Sequence, residues 1–394
     1  MEREAKYLLH LLGAYLRGEA PEFGMDIDWS RLQELAHRHN LAGNLGYMAM
    51  SWPICPDPER KRMLRGWCLA TISGNANRMI LAERFSQNLA EEGIGHILMK
   101  GYILRDLFPV PELRTFGDVD IVIRPEDRQR CHEKMLQWGF RVGTDWEPVY
   151  TYIKDSEYYE IHTQIMEVDV SERTDCRAYF GDPWANVIPL GEGRWQFTPE
   201  YHFLYMLTHI AKHVVGSGAG IRMYLDVAVF VSRYRETLDW TRIRRELEKL
   251  GLWGFANTVL TLVERYLGVS SPLELEAMPE EVLADFLEFT MAGGIFGKDG
   301  QDSGTNSLKQ DSRDGGEVSR TGTLVRRLFP TAESIAPRYT YLQDKPWLLP
   351  VAWVHRLVKT RDGWQAHTQE AKNIFSADKA QVRRLTRMYR DIGL

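Results

Sequence analysis

Cysteine is scarce. Four occur in 394 residues, at Cys55, Cys68, Cys131 and Cys176, and no two stand in C-x-x-C spacing. That excludes a zinc ribbon and a disulfide framework and fits a reducing compartment. No apolar run approaches the roughly 20 residues that span a bilayer. The opening "MEREAKYLLHLLGAYLRGE" alternates charge with apolar residues at helical spacing, unlike a secretory signal. A cytoplasmic protein with no membrane partner is the expectation. Excess positive charge is missing too: the net charge is −5, so no global field draws nucleic acid. Repeats at a solenoid period are absent.

What is present is enough apolar matter for a sizeable core, with 44% of residues hydrophobic and 11% aromatic. The hydrophobic period changes along the chain. Residues 1–93 predict a helical region: Leu8, Leu9, Leu12 and Tyr15 share a stripe, and Ser30 is placed to cap a second helix. A long helical run then ends at Gly93.

Residues 94–196 predict a mixed α/β unit, its strands concentrated between Gly95 and Val170. "HILMK" (His96 to Lys100) and "DVDIVI" are strands, "PEDRQRCHEKMLQWG" is a helix, and "FRVG", "PVYTYIK" and "EYYEIHTQIMEVDV" are strands again. Thr198-Pro199 opens a helical bundle over 197–296. The Gly/Ser/Asp-rich stretch 297–322 predicts a disordered linker or loop. The aromatic segment 323–394 predicts a helical tail packed on the bundle, with Trp347 and Trp353 as core rather than ligand box.

One segment breaks the pattern. Aspartate is depleted in strands, yet "DVDIVI" holds Asp118 and Asp120 one residue apart. Residues i and i+2 of a strand share a face, so both carboxylates project together while Val119, Ile121 and Ile123 turn into a core. Carboxylates roughly 7 Å apart along a strand repel unless a cation sits beside them. Mg²⁺, which takes one or two carboxylates plus substrate phosphates, suits the pair. A third carboxylate is needed to hold two ions, and Glu160 in "YYEIHTQIM" offers one, with His162 on its own face. The alternative is an acidic edge strand kept soluble by its charges.

A strand, a glycine turn, a Dh[DE]h strand and a later acidic strand together resemble the polymerase-β-type nucleotidyltransferase superfamily. Within it, "LMKG…R…GDVDIVI…GF…YEIH" is similar to a group of uncharacterised nucleotidyltransferases; the likeness covers residues 90–235 well and the flanks loosely. Lys-Gly stands here where many members carry Gly-Ser or Gly-Gly, and the gap to the first aspartate is longer.

The resemblance implies an α+β fold, a small mixed-sheet nucleotidyltransferase core flanked by N-terminal and C-terminal helical regions. It implies an enzyme that moves a nucleoside monophosphate from an NTP such as ATP to an acceptor hydroxyl, with Mg²⁺ or Mn²⁺ as cofactor. Asp118, Asp120 and Glu160 would be its catalytic and metal-holding residues. Lys100 and Gly101 would approach the triphosphate, with Arg114 as a planar fork. Lys212, His213, Arg222 and Asp226 would face the nucleotide from helices.

Alternatives remain at several of these positions. Arg114 could pair with a surface carboxylate, and Arg222 with Asp226 at i, i+4. His209 and His213 share a helix face, but Ile210 stands where a zinc protease needs glutamate. The acceptor expected from the acidic net charge is a small molecule or a protein rather than nucleic acid. A catalytically inactive nucleotide- or partner-binding module and a toxin-type enzyme acting on tRNA are the competing readings.

Overall fold

The structure, a computed structural model, describes residues 2–22, 26–55, 57–166, 169–170, 175–216, 218–294, 329–336, 339, 341–359 and 379–394. The predicted linker at 297–322 lies outside them, as does much of the tail. The architecture is α+β: one seven-stranded mixed sheet with helices before and after it in the chain. No helix among the described residues is long and apolar enough to cross a membrane.

Four helices precede the sheet: α1 (Arg3–Arg17), α2 (Trp29–Arg38), α3 (Ala42–Ser51) and α4 (Pro58–Glu91). The cap of α2 corrects the expectation. Asp28, not Ser30, accepts from the first free amides, those of Ser30 and Arg31 at 2.9 and 3.2 Å, because the helix begins one residue before the serine. Asp57 and Pro58 start α4 in the same manner. This 34-residue helix packs its first half on α3 and lays its second half, through Ala82, Phe85 and Leu89, under the sheet.

The strands are β1 (His96–Leu98), β2 (Val119–Ile123), β3 (Arg141–Trp146), β4 (Val149–Lys154), β5 (Glu157–His162), β6 (Val187–Gly191) and β7 (Arg194–Phe197), in the spatial order β3-β4-β5-β2-β1-β7-β6. β1 runs antiparallel to β2 and parallel to β7, and β2 runs parallel to β5. Three strand expectations change. β1 ends at Leu98 because Lys100 turns to φ 53 and opens the short helix α5 (Gly101–Leu104). β5 stops at His162, opposite Val149, because its partner strand β4 begins there, after Pro148. β6 and β7 were not anticipated. They form a hairpin across Gly191, Glu192 and Gly193, all at positive φ, and Pro189 is tolerated because β6 is an edge.

The two faces of the sheet are covered differently. On one, α4 and α6 (Arg128–Gln137) bury Val119, Ile121, Ile123, Tyr159 and Ile161, with Phe85 stacked on Tyr159 at 3.9 Å between ring centroids. On the other, Ile97 and Val122 join a larger core shared with α1 to α4 and with the later helices. α7 (Cys176–Tyr179) precedes the hairpin. α8 (Pro199–Gly216), α9 (Ile221–Tyr234), α10 (Trp240–Lys249), α11 (Trp253–Leu262) and α12 (Glu280–Ala292) follow it. The C-terminal helix Lys379–Asp391 joins this core, and Tyr389 Oη donates to the Val214 carbonyl of α8 at 2.9 Å.

Candidate active site

β2 and β5 bring the acidic groups together through their register. Pairing is parallel, Asp120 opposite Glu160 and Val122 opposite His162, and the period of two sends Asp120, Glu160 and His162 to the same face. Their donor atoms all lie within 4.8 Å of one another. His162 Nε2 is 3.0 Å from Asp120 Oδ1 and 3.6 Å from Glu160 Oε2. An ionised carboxylate only accepts, so in that contact Nε2 carries the hydrogen.

This arrangement departs from the predicted triad. Asp118 precedes the first paired residue of β2 and is exposed at the mouth of the same cavity, outside the tight donor group. The alternation argument holds only where the strand is paired, and pairing begins at Val119. His162, rather than Asp118, stands with Asp120 and Glu160 in the tight donor group. Its signal was present in the sequence, two residues beyond Glu160 on the same face.

Lys100 completes the group. Its Nζ donates to Asp120 Oδ1 at 2.6 Å, with the two side chains 20% and 6% exposed. Burial works against the ammonium, but the charge of Asp120, with Tyr205 and Asp118 nearby, outweighs it and holds the Lys100 pKa above its ordinary value. Burial likewise opposes an ionised Asp120. The charges and hydrogen bonds of Lys100 and His162 prevail and hold its carboxyl well below the usual range. Asp118 moves the other way, pushed up by partial desolvation at the cavity mouth and by the Asp120 charge.

The backbone at Lys100 is strained, at φ 53 and ψ −130 in a residue with a side chain, which costs on the order of 1–3 kcal/mol. Gly101 is required next to it: a Cβ there would collide with the Arg114 guanidinium. The loop carrying Arg114 is itself held by α4, through Asn75 Nδ2 to the Glu112 carbonyl and Arg78 to the Phe116 carbonyl, both at 2.7 Å.

Arg114 is no surface residue. It makes a buried fork to Asp226 of α9, Nε to Oδ1 at 3.1 Å and Nη2 to Oδ2 at 2.7 Å. The alternative Arg222–Asp226 helix pair does not form as an ion pair. Arg222 Nη1 instead donates to the Thr115 carbonyl at 2.7 Å and to Thr115 Oγ1 at 3.2 Å. With Asp226 taken by Arg114, Arg222 has no carboxylate partner among the described residues. Burial, then the neighbouring Arg114 charge, lowers its pKa to about 10.

These groups line one cavity of about 380 Å³ between the sheet and helices α8 and α9. Every predicted site residue borders it: Lys100, Gly101, Arg114, Asp118, Asp120, Glu160, Lys212, His213, Arg222 and Asp226. Of the polar and aromatic residues that line it, the sequence noted His162 and His209 without assigning them to the site, and did not single out His202 or Tyr205. His209 Nε2 and His213 Nε2 are 3.0 Å apart. Burial, with the Lys100 charge next, holds His209 neutral, so one ring nitrogen of the pair accepts. A second cavity of about 400 Å³ near Gln164 and Phe180 holds no comparable cluster of donors among the described residues.

The donor set, two carboxylates and an imidazole within reach of one centre, suits a divalent cation. The same cavity is lined by the guanidinium of Arg222 and the ammonium groups of Lys100 and Lys212, of the kind that hold phosphate. A family model described as uncharacterised nucleotidyltransferase matches residues 25–268, a span that includes every residue of this cavity. No curated protein and no solved structure matches the sequence.

Proposed function

We propose the following reaction for a chain that belongs to the family of uncharacterised nucleotidyltransferases and is therefore a transferase enzyme. The substrate is an NTP. An acceptor hydroxyl of a small molecule or a protein attacks its α-phosphorus, the new P–O bond forms, the bond to the β-phosphate bridging oxygen breaks, and pyrophosphate leaves. Asp120, Glu160 and His162, with Asp118 reaching in from the mouth, would hold Mg²⁺ or Mn²⁺. When bound, such an ion supplies charge neutralisation on the phosphates and a lowered pKa for the attacking hydroxyl.

The protein's own groups do the rest. Arg222, with no carboxylate partner, offers its remaining N–H groups to phosphate oxygens, which relieves the cost of a half-buried lone guanidinium. Lys212 adds a second cation from α8. The Arg114–Asp226 fork is a positioning element, holding the Lys100–Gly101 turn and α9 at a fixed separation. Glu160 is the more accessible of the two clustered carboxylates, at 24% exposure against 6% for Asp120, which supports it as the group that would take the acceptor's proton. Positioning and charge compensation of this kind account for most of the catalysis in phosphoryl transfer.

The observation that carries this reading is the convergence of Asp120, Glu160 and His162 in one cavity with Arg222, a guanidinium that makes no ion pair among the described residues. The test is incubation with each NTP labelled at the α-phosphate, Mg²⁺ or Mn²⁺, and a panel of small-molecule and protein acceptors. Pyrophosphate release and label transfer are expected. Asp120→Asn should lower both by at least about 10²-fold, since even a partner behind a metal ligand contributes 10–100-fold. Its far-UV circular dichroism should match the parent. Full turnover in that variant would remove the metal assignment.

A further inference from the structure

Asp120 Oδ1 receives two donors, Lys100 Nζ at 2.6 Å and His162 Nε2 at 3.0 Å. Asp120 is the more buried of the two clustered carboxylates, at 6% side-chain exposure against 24% for Glu160. The two donors take up the lone pairs of Oδ1, and a divalent cation on the same carboxylate would be repelled by the ammonium already neutralising it. The geometry around Lys100 shows how the ammonium could leave. Its backbone is pinned: its carbonyl accepts from Ile103 N at 3.2 Å and Leu104 N at 2.9 Å, and Gly101 behind it is wedged against Arg114. The side chain, a flexible four-carbon stem, can swing without the turn moving.

We propose, resting on the nucleotidyl-transfer reading above, that Lys100 is an internal counter-ion that guards Asp120 and is handed over to the triphosphate. In the empty enzyme its ammonium neutralises Asp120 and closes the donor cluster to a free divalent cation. When the cation arrives with nucleotide, the ammonium leaves the carboxylate for the phosphate oxygens entering the same cavity. Charge is balanced at each stage: carboxylate with ammonium first, then carboxylate with cation and ammonium with phosphate. Two features of the structure are thereby explained together. The strained φ at Lys100 accompanies a side chain that reaches Asp120 of β2. Arg114, the nearest alternative cation at the turn, is committed to Asp226 and cannot substitute. Lys100 thus couples the two ligands and makes the cation bind poorly alone and well with nucleotide.

The experiment compares the parent with Lys100→Met and Lys100→Arg. Mn²⁺ binding is read by electron paramagnetic resonance without nucleotide, and binding of a non-hydrolysable NTP analogue by calorimetry with Mn²⁺ present. Lys100→Met should bind Mn²⁺ at least about tenfold tighter alone and the analogue at least about tenfold more weakly, the size of an ordinary coupling between sites. Lys100→Arg, which keeps the charge, should leave Mn²⁺ affinity within about threefold by the same measure. The unmutated chain supplies an independent readout. Acylation of Lys100 by an amine-reactive ester, located by mass spectrometry, should rise only at Mn²⁺ concentrations high enough to fill the weak site without nucleotide, and fall again on adding the analogue. Unchanged Mn²⁺ affinity in Lys100→Met, or Lys100 acylation that stays constant even at saturating Mn²⁺, overturns the exchange. If Asp120→Asn abolishes Mn²⁺ binding while Lys100→Met leaves it unaltered, only the exchange falls. If the parent binds no Mn²⁺ even with the analogue, the nucleotidyl-transfer reading falls with it.

Discussion

The two faces of β2 and β5 are made from alternate residues of the same strands, yet they follow different rules. Beneath the sheet, Ile121, Ile161 and Tyr159 close against Phe85, Leu89 and Met135 with nothing ionised between them. On the cavity side, Asp120, Glu160 and His162 occupy the neighbouring positions, and almost every cohesive contact is an ion pair or a charged hydrogen bond. Apolar packing tolerates repacking and holds the strands in register. A buried charge network adds little net stability but penalises the loss of any one member. The first face makes the fold, and the second uses it.

The largest effect on stability should come from breaking the polar side. Arg114→Met leaves Asp226 buried without its fork, and unfolding by denaturant should show a loss of about 3–5 kcal/mol. The double variant Arg114→Met/Asp226→Leu should recover much of it, which separates charge loss from packing loss. Recovery of stability without recovery of nucleotide binding would sharpen the contrast between the faces. A small effect from Arg114→Met alone would blur it.

Ile161→Ala tests the other face between the same two site residues. It should cost about 2–5 kcal/mol while pyrophosphate release per folded molecule changes little. Glu160→Gln, one residue away, should show the reverse: a melting temperature near that of the parent and a large loss of release. If the two substitutions behaved alike, the division between the faces would fail.

At neutral pH the smallest expected effect belongs to the buried histidines, whose contribution changes only on acidification. His96 of β1 is fully buried, its Nδ1 bonded to the Ile94 carbonyl at 3.0 Å and its Nε2 to Ser86 Oγ at 2.7 Å. Burial, then the Arg194 charge, lowers its pKa to about 4, and burial lowers that of His202 to about 4 as well. The unfolded chain takes up these protons near the ordinary value of 6.5, and the folded one resists until about 4. Stability from this source is fully present above 6.5 and drains away as pH falls through that window, by at most about 3 kcal/mol per histidine. Denaturant midpoints measured from pH 7 to 4 should fall accordingly, and His96→Asn should take its share of the slope with it.

Local pattern explains what was legible beforehand. Helix stripes, the stop at Gly93, the aspartate-bearing strand and the acidic strand that partners it all repeat within a few residues, so the mixed sheet and its helical flanks could be anticipated. His162 was within reach, since it lies one strand period from Glu160, but a histidine in an aromatic strand carries no mark of its own. The hairpin β6–β7 was hidden: Ile188, Pro189 and Leu190 are all exposed, so no alternation announces a strand, and β7 is recruited by parallel pairing to β1, almost 100 residues earlier in the chain.

The order of residues by itself determined which side chains alternate on each strand and each helix, because that depends only on the backbone repeat. Only the tertiary structure decided their partners. Arg114 reaches Asp226 across 112 positions, although the i, i+4 rule favoured Arg222. Lys100 is delivered to Asp120 by a turn whose φ no spacing announces. Buried charges settle where desolvation is best compensated, and that is a property of the assembled interior, not of neighbours along the chain.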